Sequence, residues 1–164
     1  MYPINPLNPI NPMKPITIRK ARTTDLETLL RFEQGVITTE RPFDPTLREG
    51  QIHYYDIRAM ITAKDVELLV AELDGIVIGS GYARIEAAKP YLKHPVHAYL
   101  GFMYVDPAHR GKGINQMIIT ELKTWAHSRN VTELRLDVYD GNANAIKAYE
   151  KAGFKQHMIN MRLQ

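Results

Sequence analysis

The segment that most constrains the fold is an apolar strand that runs through a glycine turn directly into a helix. Residues 97–105 have the length and composition of a buried strand, Gly111 and Gly113 lie in the turn, and an amphipathic helix begins at Ile114. Another strand is predicted at residues 133–138. Because a strand–helix–strand crossover places its two strands parallel in one sheet, the segment predicts an α/β fold built on a mixed sheet.

Strand and helix signals alternate through the rest of residues 16–164, which we interpret as a single domain. Asp74-Gly75 between two apolar runs predicts a two-residue hairpin, and Thr24 with Glu27 predicts a capping box at the start of the first helix. Residues 38–55 are expected to form a loop with at most a short helical turn. The other predicted elements are strands at 16–19 and 154–163 and helices at 57–62, 114–125 and 143–152, the last closed by Gly153.

The first fifteen residues differ from the rest of the chain. Proline recurs at every third position from Pro3 to Pro15, which matches the three-residue turn of a polyproline II helix. The same period aligns Ile4, Leu7, Ile10 and Met13 along one edge. We expect an N-terminal arm that packs on this subunit or on a neighbour in a homodimer; a disordered tail, or a start at Met13, is the alternative.

Composition excludes several classes of protein. The 164 residues contain no cysteine, so disulfide scaffolds, cysteine–zinc sites and thiol nucleophiles are excluded. The 21 basic and 18 acidic residues give a net charge of only +3 without a basic stripe, which argues against nucleic acid as a partner. No apolar run is long enough to span a membrane and no secretory signal is visible, so we expect a cytoplasmic protein without a membrane partner. His94 and His97 lack a nearby carboxylate cluster, so no metal site is expected.

The glycine turn carries the features of a phosphate-binding site. Gly111 and Gly113 allow backbone amides to approach a ligand, and the following helix start supplies unpaired N–H groups and a partial positive charge. Arg110 and Lys112 add cationic side chains. The nucleoside-triphosphate P-loop pattern fails because Gly113 stands where Ser or Thr is required, although a nucleotide-binding module of another family stays an alternative at this point.

Two motifs resemble the signatures of the GNAT acyltransferases. Residues 105–114, VDPAHRGKGI, resemble the acetyl-coenzyme A loop of that family, [QR]-x-x-G-x-[GA], except that Asn115 occupies the sixth place. Residues 142–154, NANAIKAYEKAGF, resemble its second signature. The resemblance implies a centrally splayed mixed sheet flanked by helices, acetyl-CoA as the cosubstrate, and transfer of its acetyl group to a primary amine on a small molecule or peptide.

The resemblance also implies roles for individual residues. The backbone of Met103 and Val105 would pair with the pantetheine arm, Asn142 would contact pantetheine, and Tyr149 would face the sulfur as the general acid. The pyrophosphate would be held by Arg110, Gly111, Lys112, Gly113 and Asn115. A non-catalytic acyl-CoA-binding or regulatory domain is the alternative to an enzyme.

The general base is the least defined part of the predicted site. Relatives that use a carboxylate on the central strand place it where this chain has Tyr99, so Glu86, His97 and a water chain are the open candidates. Acceptor recognition is expected from the first helix and the loops. Solvent exposure is the stronger explanation for each candidate taken singly. The candidates are Glu33, Glu40, Arg41, Tyr54 and Tyr55.

Overall fold

A five-stranded mixed sheet forms the centre of the molecule, in a computed structural model that describes residues 15–163. The strands, in spatial order, are β1 (Thr17–Lys20), β2 (Val66–Leu73), β3 (Ile76–Ala87), β4 (Val96–Val105) and β5 (Leu134–Arg135). The helices are α1 (Leu26–Glu40), α2 (Ile57–Thr62), α3 (Ile114–Ser128) and α4 (Ala143–Lys151). The first four strands pair antiparallel and β5 pairs parallel to β4, which confirms the predicted α/β class. Within the described range, no helix has the length and apolar character needed to cross a membrane.

Each face of the sheet is covered by helix. On one face, α1 and α2 pack on β2, β3 and β4 through Leu29, Phe32, Ile57, Tyr82 and Phe102. On the other face, α3 packs through Ile114, Ile118, Leu122 and Ala126. The helical spacing of these α3 residues is the period predicted from the sequence, so the helix buries one stripe and leaves the opposite side in water.

A bulge in β4 interrupts the regular pairing with β3. Tyr82 pairs with Gly101 and Ser80 with Tyr104, so β3 has one residue where β4 has two. Phe102 takes a left-handed φ of 55°, and its carbonyl accepts a hydrogen bond from the buried Ser80 Oγ at 3.1 Å. Because a bulge bends its strand and increases the local twist, β4 changes direction at this point.

The N-terminus of α1 is organised by Asp25 rather than by the predicted pair Thr24 and Glu27. The Asp25 carboxylate accepts hydrogen bonds from the Arg22 backbone N–H at 2.7 Å and from both terminal nitrogens of Arg19 at 2.8 and 3.0 Å. Residues 23–25 form a 3₁₀ turn and α1 begins at Leu26, so the predicted capping box was wrong. Asp25 stabilises the start of α1 better than the predicted pair would, because its carboxylate also forms an ion pair with an arginine on β1.

Other boundaries also differ from the predictions. Helix α1 continues through Glu40 into the segment expected to be loop, and a 3₁₀ turn follows at Arg41–Phe43. The strand expected at 133–138 pairs over only Leu134–Arg135, and residues 154–163 form no strand in the described chain. The proposed proline-rich arm falls almost entirely on residues 1–14, outside the described range.

Replacement of Asp25 by asparagine should destabilise the fold. The Arg19 guanidinium lowers the pKa of the Asp25 carboxyl, so the ionised form stabilises the native state at neutral pH. We expect a loss of about 2 kcal/mol, or roughly 4–8 °C in melting temperature. The difference in stability between the wild type and the variant should have its full size above the ordinary aspartate pKa. It should disappear as the pH falls through the lowered pKa of Asp25 in the folded protein.

Thermal melts from pH 3 to 8 would measure this effect. Glu67→Gln is the matched control, because it removes a pair with the exposed Lys20 at 3.4 Å and should cost little. Equal losses in the two variants would contradict the assignment.

Candidate functional site

The site lies where β4 and β5 separate. The two strands pair only at Ala98 with Leu134 and Tyr99 with Arg135. Beyond Tyr99, β4 continues for six residues to Val105 without a β5 partner in the described chain. This stretch contains the bulge at Phe102, and it includes Met103 and Val105. A strand edge of this kind can add an extended ligand through main-chain hydrogen bonds.

A tight turn joins the end of β4 to α3. The Asp106 carboxylate accepts a hydrogen bond from the Ala108 N–H at 2.9 Å, and a 3₁₀ turn spans Pro107–His109. Gly111 and Gly113 both have φ of 76°, and an added Cβ at either would meet no atom within 4 Å. Glycine is therefore favoured here for its left-handed backbone and not for lack of space.

The predicted phosphate-binding groups converge on this turn. Arg110 Nε donates to the Val105 carbonyl at 3.2 Å, and Lys112 Nζ lies 3.3 Å from His109 Nδ1. Asn115 is the second residue of α3, so its backbone N–H belongs to the first turn, where amides lack helical partners. Free amides, two cations and the open strand edge together fit a ligand with a pyrophosphate and an extended arm.

Helix α4, which carries Tyr149 and is capped by Asn142, contacts the first turn of α3. The Asn142 side-chain oxygen caps α4 by accepting from the Ala145 N–H at 3.2 Å. Gln116 Nε2 on α3 donates to the Ala148 carbonyl at 3.1 Å, which fixes α4 against α3. Burial raises the pKa of the Tyr149 phenol to about 12, with a further contribution from the charge of Glu40. Tyr149 is therefore a protonated hydrogen-bond donor at neutral pH.

Glu86 and His97 form a separate cluster at the start of β4. Glu86 accepts hydrogen bonds from the Arg84 guanidinium at 2.6 and 2.9 Å, and its other oxygen lies 3.5 Å from His97 Nε2. His97 precedes Met103 by six strand residues, a separation of roughly 20 Å at about 3.3 Å per residue. The two residues are thus together, but they lie far along the strand from the turn and the open edge.

The expectation that Glu33 faces an acceptor was wrong. Glu33 is fully buried, and its carboxylate accepts from the Tyr54 and Tyr55 backbone N–H groups at 2.7 and 2.9 Å. Its second oxygen lies 2.7 Å from His53 Nδ1. Glu33 therefore holds the segment before α2 against α1, and both of its carboxylate oxygens are engaged in doing so.

A cluster of phenols next to Glu40 is the main feature that sequence reasoning missed. Burial raises the pKa of Tyr54, Tyr139 and Tyr149, and the charge of Glu40 adds to the rise in all three, although they come from separate parts of the chain. Tyr139 was not among the predicted site residues. Its position directly before Asp140-Gly141-Asn142, at the entrance to α4, was the available signal.

Comparison with known proteins identifies the family. The model of the Acetyltransferase (GNAT) family matches residues 33–154, about three quarters of the chain. The chain belongs to the GNAT family.

Several known proteins resemble this GNAT protein in sequence or in fold. An N-alpha-acetyltransferase of Sulfurisphaera tokodaii is 28% identical over 144 residues, 85% of this chain and 80% of that protein. The BH1408 protein of Bacillus halodurans, in a mutant form, superposes with a TM-score of 0.82 at 20% identity, over 90% of this chain and 98% of that one. A predicted acetyltransferase of Clostridium acetobutylicum, solved with acetyl-CoA, gives 0.69 at 20% identity over 91% and 96%.

Membership establishes the class of reaction. The protein is an acetyl-CoA-dependent acyltransferase, and the residues at the open strand edge and glycine turn fit that cosubstrate.

Among residues 15–163, no group of three or more His, Cys, Asp or Glu side chains is arranged to hold a metal ion.

Gly113→Ala should weaken acetyl-CoA binding by straining the turn. An L-residue at this φ costs about 1–2 kcal/mol, and relaxation would move the first amides of α3. Acetyl-CoA at about a hundred times its dissociation constant should stabilise the wild type by about 2.7 kcal/mol, roughly 5–10 °C. We expect the variant to lose most of this shift at the same ligand concentration.

Gly75→Ala provides a control of the same strain at a remote hairpin, because Gly75 has φ of 77° and equally open surroundings. It should lower stability without ligand but keep the acetyl-CoA shift. A full shift in both variants would contradict a role for the turn.

Proposed function

We propose that this protein transfers the acetyl group of acetyl-CoA directly to a primary amine of a small molecule or peptide, in a ternary complex. The observation that supports it is the convergence of the open β4 edge, the α3 N-terminus and the Tyr149 phenol at one end of the sheet. In the step, a C–N bond forms at the thioester carbonyl and the C–S bond breaks. An acceptor that enters as ammonium yields the amide, the thiol and one released proton.

The cosubstrate is assigned to the open edge and the turn. Acetyl-CoA supplies the acetyl thioester. We assign the backbone of Met103 and Val105 to its pantetheine arm, together with Asn142 at the start of α4. We assign the pyrophosphate to the turn residues Arg110, Gly111, Lys112, Gly113 and Asn115. Because the Asn142 side-chain oxygen already caps α4, its amide nitrogen is the group left to donate.

Two donors are assigned to the charges that develop during transfer. We assign the Met103 N–H to stabilise the oxyanion formed from the thioester carbonyl. Tyr149 is assigned as the general acid that donates toward the departing sulfur. Its pKa of about 12 lies well above the value near 8.5 of an ordinary thiol, so the phenol acts mainly through a hydrogen bond.

Tyr149→Phe should lower kcat about ten-fold or more, because it removes this hydrogen bond from the transition state and leaves the aromatic packing on Phe154. Steady-state assays of thiol release, with an amine panel, would measure the loss. The acetyl-CoA melting shift should be unchanged. Tyr91→Phe, at a tyrosine that is 77% exposed, is the control and should retain full turnover. Full turnover in the Tyr149 variant would remove Tyr149 from the mechanism.

We further propose a cytoplasmic homodimer. The apolar period in the sequence of residues 1–15 supports an intersubunit contact, as do four exposed side chains near the C-terminus. These are Met158, Ile159, Met161 and Leu163, each at least 82% exposed. Exposed apolar side chains at neighbouring positions of the chain are typical of an interaction site.

Removal of residues 1–13 should weaken the dimer while leaving the fold of the remaining chain intact. Sedimentation velocity across a concentration series would measure the association, and a thermal melt would check folding. An unchanged sedimentation coefficient at every concentration would contradict a role for the arm.

A further inference from the structure

Helix α1 is fixed firmly on the sheet, so the position of its last residue, Glu40, is defined. A Cβ on Gly35 would lie 2.5 Å from Tyr104 Cε2, because the helix approaches β4 at that point. The Phe32 and Tyr104 rings pack with centroids 4.5 Å apart. Two turns of helix before Glu40, the buried Glu33 fixes the segment leading into α2.

The residues that follow Glu40 fasten this end of α1 to the approach to α4. The Asp44 N–H donates to the Glu40 carbonyl at 3.3 Å. The Asp44 carboxylate accepts from Tyr139 Oη and from the Arg162 guanidinium, each at 3.1 Å. Phe43 stacks on Tyr139 with centroids 6.4 Å apart. Glu40 is therefore held beside the segment that leads to Asn142 and Tyr149.

The Glu40 carboxylate is partly buried but has no cationic partner among the residues that the structure describes. Within residues 15–163, no basic side chain forms an ion pair with it. The buried Tyr54 hydroxyl lies close to the Glu40 carboxylate, but the two groups do not form a hydrogen bond of good geometry. Burial raises the pKa of Glu40, the nearby Tyr54 hydroxyl offsets part of that rise, and the Asp44 charge adds to it. A half-buried carboxylate among phenols, without a cation, is costly unless a ligand supplies one.

The other acidic groups in this region are already engaged. Asp44 is paired with Arg162, and Glu33 accepts from two backbone amides and His53. Asp137 accepts from Tyr99 Oη at 3.3 Å. Glu40 is the carboxylate of this group that is both desolvated and close to Tyr149.

We infer that Glu40 is the counter-ion that binds the acceptor as an alkylammonium ion, among the phenols of Tyr54, Tyr139 and Tyr149. This inference rests on the proposed acetyl transfer to an amine, and it specifies the class of amine. The carboxylate provides an ion pair, and the phenol rings and hydroxyls provide cation–π contacts and hydrogen bonds. An alkylamine with a pKa near 10.4 arrives as the cation that fills this site, whereas a peptide α-amine with a pKa near 8 is substantially neutral at pH 8.

Glu40→Gln tests this assignment with 1,5-diaminopentane as the acceptor. We expect kcat/KM for the diamine to fall at least ten-fold, mainly through KM, because the loss of one desolvated charge partner is worth at least that factor. Glu49→Gln is the matched control, since Glu49 is an exposed glutamate on the same α1–α2 connection. The acetyl-CoA melting shift should stay at the wild-type value in both variants.

Outcomes of the assay separate this inference from the proposed function. A loss within two-fold of the Glu49 variant would overturn the role of Glu40. Wild-type preference for a lysine-free peptide N-terminus over the diamine would overturn the alkylammonium class while leaving acetyl transfer intact. If the wild type acetylates no amine, the proposed function fails. Calorimetric titration of the diamine into the coenzyme A complex then decides the inference, which requires binding that Glu40→Gln abolishes.

The stability of the unliganded protein provides a second readout. Because the pKa of Glu40 is raised in the folded state, its charge destabilises that state at pH 7–8. Glu40→Gln should therefore melt at the same temperature as the wild type or higher while losing affinity for the amine. A lower melting temperature together with the affinity loss would indicate a structural role and overturn the assignment.

Discussion

The early separation of β5 from β4 is the constraint on which the rest of the site depends. The two strands diverge after two paired positions. Further along β4, the bulge at Phe102 also bends that strand. A continuous parallel ladder would use the main-chain groups of residues 101–105 within the sheet. The divergence leaves the side of β4 that faces away from β3 without a strand partner along this stretch of the described chain. Ser80 Oγ compensates the bulged carbonyl of Phe102.

The parts of the fold that were predictable from sequence are set by local interactions. The Asp74-Gly75 turn, the glycine turn before α3 and the end of α4 at Gly153 all require left-handed backbone, and the sequence places suitable residues there. Strand pairing between distant segments is not encoded so locally. Residues 133–138 alternate charged and apolar side chains, a pattern suited to a strand, but the divergence of β4 leaves only Leu134–Arg135 with a partner in the described chain. The residue types in this segment do not show where β4 and β5 diverge.

Two glutamates on one helix show why candidate site residues need three-dimensional context. Glu33 and Glu40 are seven positions apart, about two turns, so they project from similar sides of α1. Glu33 is buried against backbone N–H groups that become available only when residues 53–55 fold back. Glu40 lies at the helix end among phenols contributed by later segments. In sequence both are acidic residues on one helix, and long-range contacts alone distinguish the structural residue from the candidate binding residue.

The location of Glu40 also bears on how the reaction can proceed without a carboxylate on the central strand. Position 99 holds a tyrosine that donates to Asp137, and burial together with that negative neighbour raises the pKa of its phenol. Tyr99 is thus a poor base at neutral pH. Glu86 already accepts hydrogen bonds from the Arg84 guanidinium on one oxygen, and it lies near the start of β4, away from the open edge. In the proposed arrangement, Glu40 on α1 would bind the amine and Tyr149 on α4 would face the sulfur, so the two groups would come from different elements of the fold. Acceptor recognition can then change through α1 and its following loop without altering the strand that binds the cosubstrate.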